Sequence, residues 1–523
     1  MNKNRKLLTH SLLWGALAYH AQGLAEDLLD YHRPLSVQYL DTPGTGVNDT
    51  SPLTLEDGTV TTVGEFRKKT IEQVRRAVAL QFTNKVALRW DVKFKSNAGY
   101  DALTLGPSFT EVTSANQDPA GIAKAGNWYP QTLLYALNEI TWDATNYAVA
   151  ETQFLANPQN IQSRIVTSSG QSELTSIIYH ELIHVYGFAE SSCLGSCIPA
   201  RMSQNNHLTP FLWHRTADNT LVNYGTLDLD GREAAGKSNN RFLAGGTLSA
   251  PRTSAAVQAE LTGGKYVDAS GGYVQLFATP TSTGGWDGQA GSHLSFDVQP
   301  AQLMYSSAAR VQDMGIAAPM LCDAGWCRKT GQVIDLTAQA TLDSNASSAS
   351  KTYIDVTFKN QTNADADKLQ AQVRLDARYS GVVLSGDQQG CTLEAQVLNC
   401  AFELAALGSK KITLTLGALT DAGYTIAGEV YSKDFDVDRN GFNNILDTTL
   451  KLATTPPGTG GGTGGGTGGG TGGTGGGGST GGTGGGVTTP TTPTAPAESG
   501  SGGAMPLWFA CLVLLAWRRR QAS

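Results

Sequence analysis

The sequence predicts an α+β domain over residues 26–328, followed by an all-β sandwich over residues 333–452. In the first part, "VGEFRKKTIEQVRRAVALQF" has apolar residues at helical spacing, and the alternating run "VALRWDVKF" predicts a strand after it. In the second part, short alternating runs are separated by turn-rich pieces, which is typical of an antiparallel sandwich. These runs are "TYIDVTF", "LQAQVRL", "SGVVL", "AQVLNCAF", "KKITLTL" and "TIAGEVY". Residues 333–452, which carry these runs, resemble the Ig-like repeat domains of bacterial surface proteins. The resemblance implies an Ig-like β-sandwich.

Residues 1–25 have the order of a secretory signal peptide. A basic start, Met1 to Lys6, is followed by an apolar run and then by the small residues "GLA" before Glu26. Cleavage is predicted near Ala25, and a buried first helix is the alternative. The net charge of −7 over 523 residues gives no indication that the protein binds nucleic acid.

The C-terminal end predicts a tether and a membrane segment. Residues 454–503 are almost wholly Gly, Thr, Pro and Ser, a composition that forms a flexible linker. Residues 504–523 contain a short apolar run and then three arginines, which would stay on the cytoplasmic side of a membrane. With the glycine pair before it, this tail resembles the GlyGly-CTERM sorting signal of Gram-negative bacteria. The resemblance implies type II secretion, removal of the tail by a rhomboid-type protease, and a cell-surface or extracellular location; an ordinary C-terminal anchor is the alternative.

Six of the seven cysteines form three close pairs, and Cys511 stands alone in the apolar tail. An exported chain meets an oxidising compartment, so three short-loop disulfides are predicted, although six cysteines allow 15 connectivities. The pairs are Cys193 with Cys197, Cys322 with Cys327, and Cys391 with Cys400. Thiolate ligation of a metal by the first pair is the alternative.

The stretch "YHELIHVYGFAE" carries the clearest chemical signal. A helix from an N-cap at Ser172 to a stop at Gly187 would place His180 and His184 on one face, where both imidazoles can bind one zinc ion. Glu181 lies about 100° round the helix from His180, so its carboxylate can act on a zinc-activated water as general base. A satisfied structural histidine pair is the alternative.

An open catalytic zinc site needs a third protein ligand, and the sequence offers four candidates. They are Glu190, His207, His214 and His293. Glu190 occupies the last position of the compact His-Glu-x-x-His-x-x-Gly-x-x-His pattern, and we interpret it as a solvated residue past the helix end. The second and third candidates lie in a Trp- and Pro-containing stretch, where packing roles are expected.

The stretch "GSHLSFDVQPAQLMYSS" is similar to the part of the leishmanolysin family of metzincins that follows a long insertion. The resemblance implies that His293 joins His180 and His184 as a zinc ligand, that Glu181 is the general base, and that Met304 forms a methionine turn beneath the metal. It implies a metzincin-type zinc endopeptidase, secreted or surface-tethered, that acts on proteins or peptides. The alternatives are a non-catalytic adhesin or binding protein on the same scaffold, and a gluzincin completed by a later glutamate.

A second metal signal is weaker. "DVDRNGFNNILD" fits the start of a calcium loop, with ligands at Asp436, Asp438, Asn440 and Asp447. No flanking helix pair is evident, and a turn near the end of the sandwich is the alternative. The sequence therefore predicts a zinc site and, less strongly, a calcium site.

Overall fold

The structure is a computed structural model that describes residues 35–55, 58–82, 87–96, 102–105, 109–113, 126–138, 148–156, 173–189, 205–238, 242–244, 274–278, 290–298, 301–306, 311–327, 331–348, 350–378, 381–418, 423–434 and 436–451. The predicted signal peptide, linker and C-terminal segment lie outside these residues, as do Ser172, Glu190, Cys193 and Cys197. Within the described ranges, no helix has both the length and the apolar character needed to cross a membrane.

A mixed four-stranded sheet forms the base of the first region. Its strands, in spatial order, are β1 (Leu35–Tyr39), β4 (Leu88–Lys95), β8 (Ala150–Leu155) and β5 (Ala102–Leu105). The first three run parallel to one another, whereas β5 runs antiparallel to β8 at the edge. The burial of β4 alternates along its length, which confirms the predicted strand.

The first three helices that the structure describes in this region are α1 (Val63–Gln81), α2 (Gln131–Asn138) and α3 (Glu173–Val185). The predicted helix α1 is confirmed, and it begins with a capping box in which the Thr62 side chain accepts from the Glu65 N–H and the Glu65 carboxylate accepts from the Thr62 N–H. Its apolar face and the sheet share one large core with α3, so α3 is held against the edge of the sheet.

Smaller elements complete the first region. They are the hairpin β2 (Pro52–Thr54) with β3 (Val60–Thr62), the pair β6 (Phe109–Glu111) with β7 (Trp128–Pro130), the sheet β10 (Leu221–Asn223), β9 (Leu212–Arg215), β11 (Phe242–Ala244) and β12 (Val274–Gln275), and the helices α4 (Leu229–Gly236) and α5 (Ala317–Leu321). The described part of the first region is therefore built from both helices and sheets.

The second region is all β, as predicted. One sheet contains β14 (Leu336–Leu342), β15 (Lys351–Asn360), β20 (Ser409–Gly417) and β17 (Val383–Gly386), and the other contains β18 (Cys391–Glu394), β19 (Val397–Leu404), β16 (Ala366–Leu375), β21 (Tyr424–Ser432) and β23 (Ile445–Leu450). Their alternating apolar side chains meet in a second core between the sheets. A short parallel pair, β13 (Val333–Ile334) with β22 (Val437–Asp438), lies beside them.

Two of the predicted disulfides are present. Cys391 and Cys400 face each other across the β18–β19 hairpin and are bonded. Cys322 is bonded to Cys327 within a single helical turn that follows α5. Both bonds close short loops inside one region, so neither joins the two regions.

The two regions pack against each other through residues of the predicted calcium segment. Gly441 lies so close to α1 that a Cβ atom placed on it would be 1.9 Å from the carbonyl oxygen of Ala77. The ring of Phe442 packs edge-on against Tyr179, with 5.3 Å between the centroids. Since Tyr179 directly precedes the first motif histidine, the sandwich contacts the back of the helix that carries the candidate site.

Candidate metal centre

The end of α3 is fixed by a glycine. The N–H of Gly187 donates to the carbonyl of His184, and the N–H of Phe188 donates to the carbonyl of Ile183, which is the Schellman arrangement. Gly187 has φ +102, and a Cβ atom there would lie 2.8 Å from Cγ of Pro130. Glycine is therefore required at this position, as the motif predicts, and the chain turns sharply just after the second histidine.

Three histidine side chains converge beside this helix end. Nε2 of His180 lies 3.0 Å from Nε2 of His184 and 3.2 Å from Nε2 of His293, and the remaining pair is 3.2 Å apart. His180 and His184 are buried, whereas His293 is partly exposed. The structure therefore brings together the three ligands that the resemblance implies, two from α3 and one from the segment 290–298.

The second nitrogen of each helix histidine is occupied. Nδ1 of His180 donates to the carbonyl of Leu303 at 2.7 Å, and Nδ1 of His184 donates to the carbonyl of Phe188 at 2.6 Å. A carbonyl oxygen can only accept, so each Nδ1 carries the proton and each neutral ring presents a lone pair at Nε2. Two lone pairs 3.0 Å apart repel each other. A cation between these atoms relieves that repulsion.

Burial keeps these rings neutral. It lowers the pKa of His180 to about 4, although the hydrogen bond to Leu303 opposes the shift. Burial, followed by the neighbouring His180 and His293 rings, lowers the pKa of His184 well below its usual value. Neutral imidazole is the form that binds metal ions, so both rings are ready to coordinate at neutral pH.

The segment carrying Met304 holds two of the candidate ligands in position. Leu303 accepts the hydrogen bond from His180, and the carbonyl of Met304 accepts from the N–H of Leu294, the residue after His293. The side chain of Met304 is fully buried in the first core. Met304 therefore lies in a turn next to the ligands, which is the location expected of a methionine turn.

Glu181 is also buried, and it lies about 100° round α3 from His180. Its Oε2 accepts a hydrogen bond of 2.6 Å from the hydroxyl of Thr104, on the edge strand β5. Burial raises the pKa of Glu181 to about 7, and hydrogen bonds from Thr104 oppose that rise. The carboxyl group can therefore both accept and return a proton near neutral pH.

A hydrogen-bonded chain behind Glu181 was missed in the sequence. Thr104 is joined to Thr152 on β8 at 2.8 Å, and Thr152 accepts from Nε1 of Trp90 on β4 at 2.8 Å. The three residues come from separate strands, and nothing in the spacing of two threonines and a tryptophan points to a shared network. Only the pairing of β5 with β8, which sets Thr104 opposite Thr152, reveals it.

Two of the rival ligand candidates, His207 and His214, are among the described residues, and both lie outside the histidine cluster. His207 is buried between the rings of Phe109 and Tyr129, and its Nε2 donates to the carbonyl of Gly187 at 2.7 Å. It therefore supports the turn after α3 from behind, which is a packing role. His214 is buried in β9, and neither histidine belongs to the cluster.

The predicted calcium residues are not brought together. Asp438 lies in β22, where one carboxylate oxygen accepts from the N–H of Asn440 and the other accepts from Leu336 and Asn444. Asp436 accepts from the N–H of residue 332 and from the hydroxyl of residue 432. Asp447 is exposed on β23. This stretch, called here the acidic segment (residues 436–447), therefore forms strands and an inter-region contact in place of the predicted loop.

The donor set of the histidine cluster fits a zinc ion. Tetrahedral zinc with bonds of about 2.0–2.1 Å to nitrogen holds its ligand atoms about 3.3–3.4 Å apart. The observed spacings of 3.0 to 3.2 Å are only slightly shorter. Among the described residues, this is the one group of three histidine, cysteine or acidic side chains with ligand atoms close enough to share an ion. Imidazole also binds other first-row metals, so the choice of zinc belongs to the proposal below.

Comparisons with known proteins add little. No protein-family model matches the sequence, and no curated protein is similar to it. A CARDB domain from Pyrococcus furiosus, crystallised with di-metal ions, is 15% identical, covers 23% of this chain and 92% of its own, and has a TM-score of 0.16. The exo-β-N-acetylglucosaminidase of family GH20 from Vibrio harveyi is 12% identical, with 23% and 17% covered and a TM-score of 0.14. The B domain of a biofilm-associated protein is 14% identical, with 22% and 42% covered and a TM-score of 0.14. At these TM-scores none of them identifies the fold or the activity of this chain.

Proposed function

We propose that the chain is a zinc-dependent endopeptidase of the metzincin type. The observation that carries the proposal is the convergence of three histidine Nε2 atoms within 3.2 Å of one another, next to a buried glutamate on the same helix. A structural metal site has no need of Glu181 beside it. The third histidine also favours a metzincin over a gluzincin, because the described cluster contains no glutamate ligand.

Each residue has a distinct part in the proposed reaction. His180, His184 and His293 would hold the zinc ion, and the Nδ1 bonds of the first two fix their ring orientation. When bound, zinc lowers the pKa of a coordinated water and polarises a carbonyl group. Glu181 takes the proton of the attacking water and delivers it to the leaving amine. The first region thus supplies all the catalytic groups of the proposal.

The setting of this activity is also part of the proposal. The signal peptide, the linker and the GlyGly-CTERM type tail support export to the surface of, or release from, a Gram-negative bacterium. The two disulfides agree with an oxidising compartment. The Ig-like sandwich would then hold the catalytic region on its tether, and protein or peptide chains outside the cell would be the substrates.

The test compares the zinc-loaded full-length protein with its Glu181→Gln variant on a broad quenched-fluorescent peptide library. The variant should keep zinc and lose more than about 100-fold in cleavage rate, since general-base catalysis contributes about 10²–10⁴-fold. Glu233→Gln removes a partly exposed carboxylate paired with Lys237 on helix α4 and should cleave like the parent. If parent and Glu181→Gln both hold zinc and neither cleaves any peptide, the enzyme is ruled out in favour of a binding protein on this scaffold.

A further inference from the structure

We propose that Trp90, Thr152 and Thr104 form a one-way hydrogen-bond relay that orients Glu181 for its part in the reaction. The inference rests on the proposed function and names the residues that position its general base. All four side chains are buried, with exposures of 0% for Trp90 and Thr152, 8% for Thr104 and 6% for Glu181. Water does not compete for these bonds as it does at a surface, so the network has a defined geometry.

The chemistry of the first residue sets the direction of the relay. An indole N–H can only donate, so the oxygen of Thr152 must accept from Trp90. The proton of the Thr152 hydroxyl then goes to Thr104, its other hydrogen-bonded partner, 2.8 Å away. Thr104 in turn directs its single proton to Glu181. In the opposite direction the Thr152 hydroxyl proton would have no acceptor among these two partners, because Trp90 can only donate.

The last bond is the strongest of the series. The oxygen of Thr104 lies 2.6 Å from Oε2 of Glu181 and 3.3 Å from the backbone carbonyl of the same residue, so the carboxylate is the preferred acceptor. A separation of about 2.5–2.7 Å is typical of a hydroxyl bonded to a carboxylate. Each bond in such a chain polarises the next, so the bonds from Trp90 and Thr152 strengthen the one that reaches Glu181.

The relay assigns different tasks to the two carboxylate oxygens. Because Thr104 already uses one lone pair of Oε2, we assign the proton collected during the reaction to Oε1. The relay also ties the edge strand β5 to α3, since Thr104 contacts both the backbone and the side chain of Glu181. Glu181 can therefore pivot little about its side-chain bonds, and its reach towards the histidine cluster is set by the sheet.

The variants that test the relay remove one hydroxyl at a time in the full-length protein. Thr104→Val keeps the shape and should lower kcat by about 10–100-fold with little change in KM, the usual range for residues that orient a metal-site group. Thr104→Ser keeps the hydroxyl and should return kcat to within about threefold of the parent. Thr70→Val is the matched control: Thr70 is a buried threonine that donates only to its own helix, at Phe66, and its variant should not change kcat.

Two further measurements separate positioning from general damage. In a Glu181→Gln background, Thr104→Val should cause no additional loss, because its effect passes through that carboxylate. Zinc affinity of Thr104→Val, measured by chelator competition, should stay within about threefold of the parent. An equal loss of kcat in both backgrounds, or no loss in either, would overturn the relay.

A crystal structure of Thr104→Val tests whether the Thr104 hydroxyl positions the Glu181 carboxylate, even if the parent protein cleaves no peptide. The Glu181 carboxylate should leave its position in Thr104→Val and keep it in Thr104→Ser. An unchanged carboxylate in Thr104→Val would overturn the relay, whether or not the parent cleaves peptides. A parent without zinc-dependent cleavage, combined with a displaced carboxylate, would contradict the proposed function and leave the positioning network standing.

Discussion

Two groups of side chains with metal-binding chemistry occur in this molecule, the histidine cluster and the acidic segment. In the cluster, the Nδ1 atoms of His180 and His184 bond backbone carbonyls, and their Nε2 atoms turn towards a common point. In the acidic segment, the carboxylate oxygens of Asp436 and Asp438 accept N–H and O–H bonds from the protein. The residue types suit metals in both places, but only in the cluster do lone pairs face one another.

Residue spacing predicts a metal site only where the secondary structure brings the spaced side chains together. On a helix, residues four apart share one face, so the spacing of His180 and His184 is enough to place both rings at one point. In the acidic segment, the same reasoning fails because β22 and β23 carry Asp438 and Asp447 into different environments. The N–H groups of Leu336 and Asn440 and the side-chain amide of Asn444 then donate to the carboxylate of Asp438.

The largest expected contrast is between two ions. Zinc at about 1,000 times its dissociation constant should raise the free energy of unfolding of the metal-free protein by about 4 kcal/mol, because it binds the folded cluster. Calcium should change it by less than about 0.5 kcal/mol. Urea unfolding with each ion measures both effects. Stabilisation by calcium without stabilisation by zinc would reverse the comparison.

Acid should destabilise the folded protein through the buried side chain of His207. Burial lowers the pKa of His207 to about 4, against 6.5 for an unhindered histidine. Between these values the unfolded chain binds a proton that the folded protein does not, so stability is lost as the pH falls. At pH 4.5 the loss is about 2–3 kcal/mol. Between pH 7 and pH 4.5, the free energy of unfolding of metal-free His207→Gln should therefore fall by that much less than the free energy of unfolding of the metal-free parent. Urea unfolding at both pH values measures the difference. An equal fall in both proteins would show that His207 is not buried as described.

The candidate ligand His293 and the packing histidine His207 should differ in their effect on zinc binding. His293→Ala should weaken zinc binding by more than about 100-fold. That is more than the loss of about 10–100-fold expected when a residue that only orients a ligand is replaced. His207→Gln should bind zinc within about threefold of the parent, because His207 supports Gly187 and lies outside the cluster. Chelator competition measures both affinities. Retained affinity in His293→Ala would remove His293 from the site.

The smallest expected effects lie in the acidic segment. Gly441→Ala should lower the free energy of unfolding by about 1–3 kcal/mol, because the added Cβ meets the Ala77 carbonyl of α1. Asp447→Ala changes an exposed strand residue and should stay within about 0.5 kcal/mol. Denaturant unfolding in buffer containing calcium compares the two. A larger loss for Asp447→Ala would support the calcium loop over the packing role.

The sequence was sufficient where the chemistry is local. Helix α3, its stop at Gly187 and the shared face of His180 and His184 follow from spacing and from one glycine. His293, 109 residues beyond His184, needed the resemblance, because no local pattern joins it to the helix.

The relay behind Glu181 could not be predicted from sequence. Thr104 and Thr152 meet only because β5 pairs with β8, across 48 residues. The same limit applies to His207. Its packing against the end of α3 depends on tertiary contacts that no local sequence pattern predicts. Sequence reasoning therefore predicted the candidate ligands and the candidate base, and the tertiary structure was needed to find the residues that hold them.

We propose that three histidines hold one zinc ion: His180 and His184 on α3, and His293, which lies 109 residues beyond His184. The most direct measurement is a crystal structure of the zinc-loaded full-length protein, with anomalous scattering recorded on both sides of the zinc edge. The claim predicts one zinc peak about 2.0–2.1 Å from Nε2 of His180, His184 and His293. A zinc peak bound elsewhere, or one bound by the two helix histidines without His293, would contradict it.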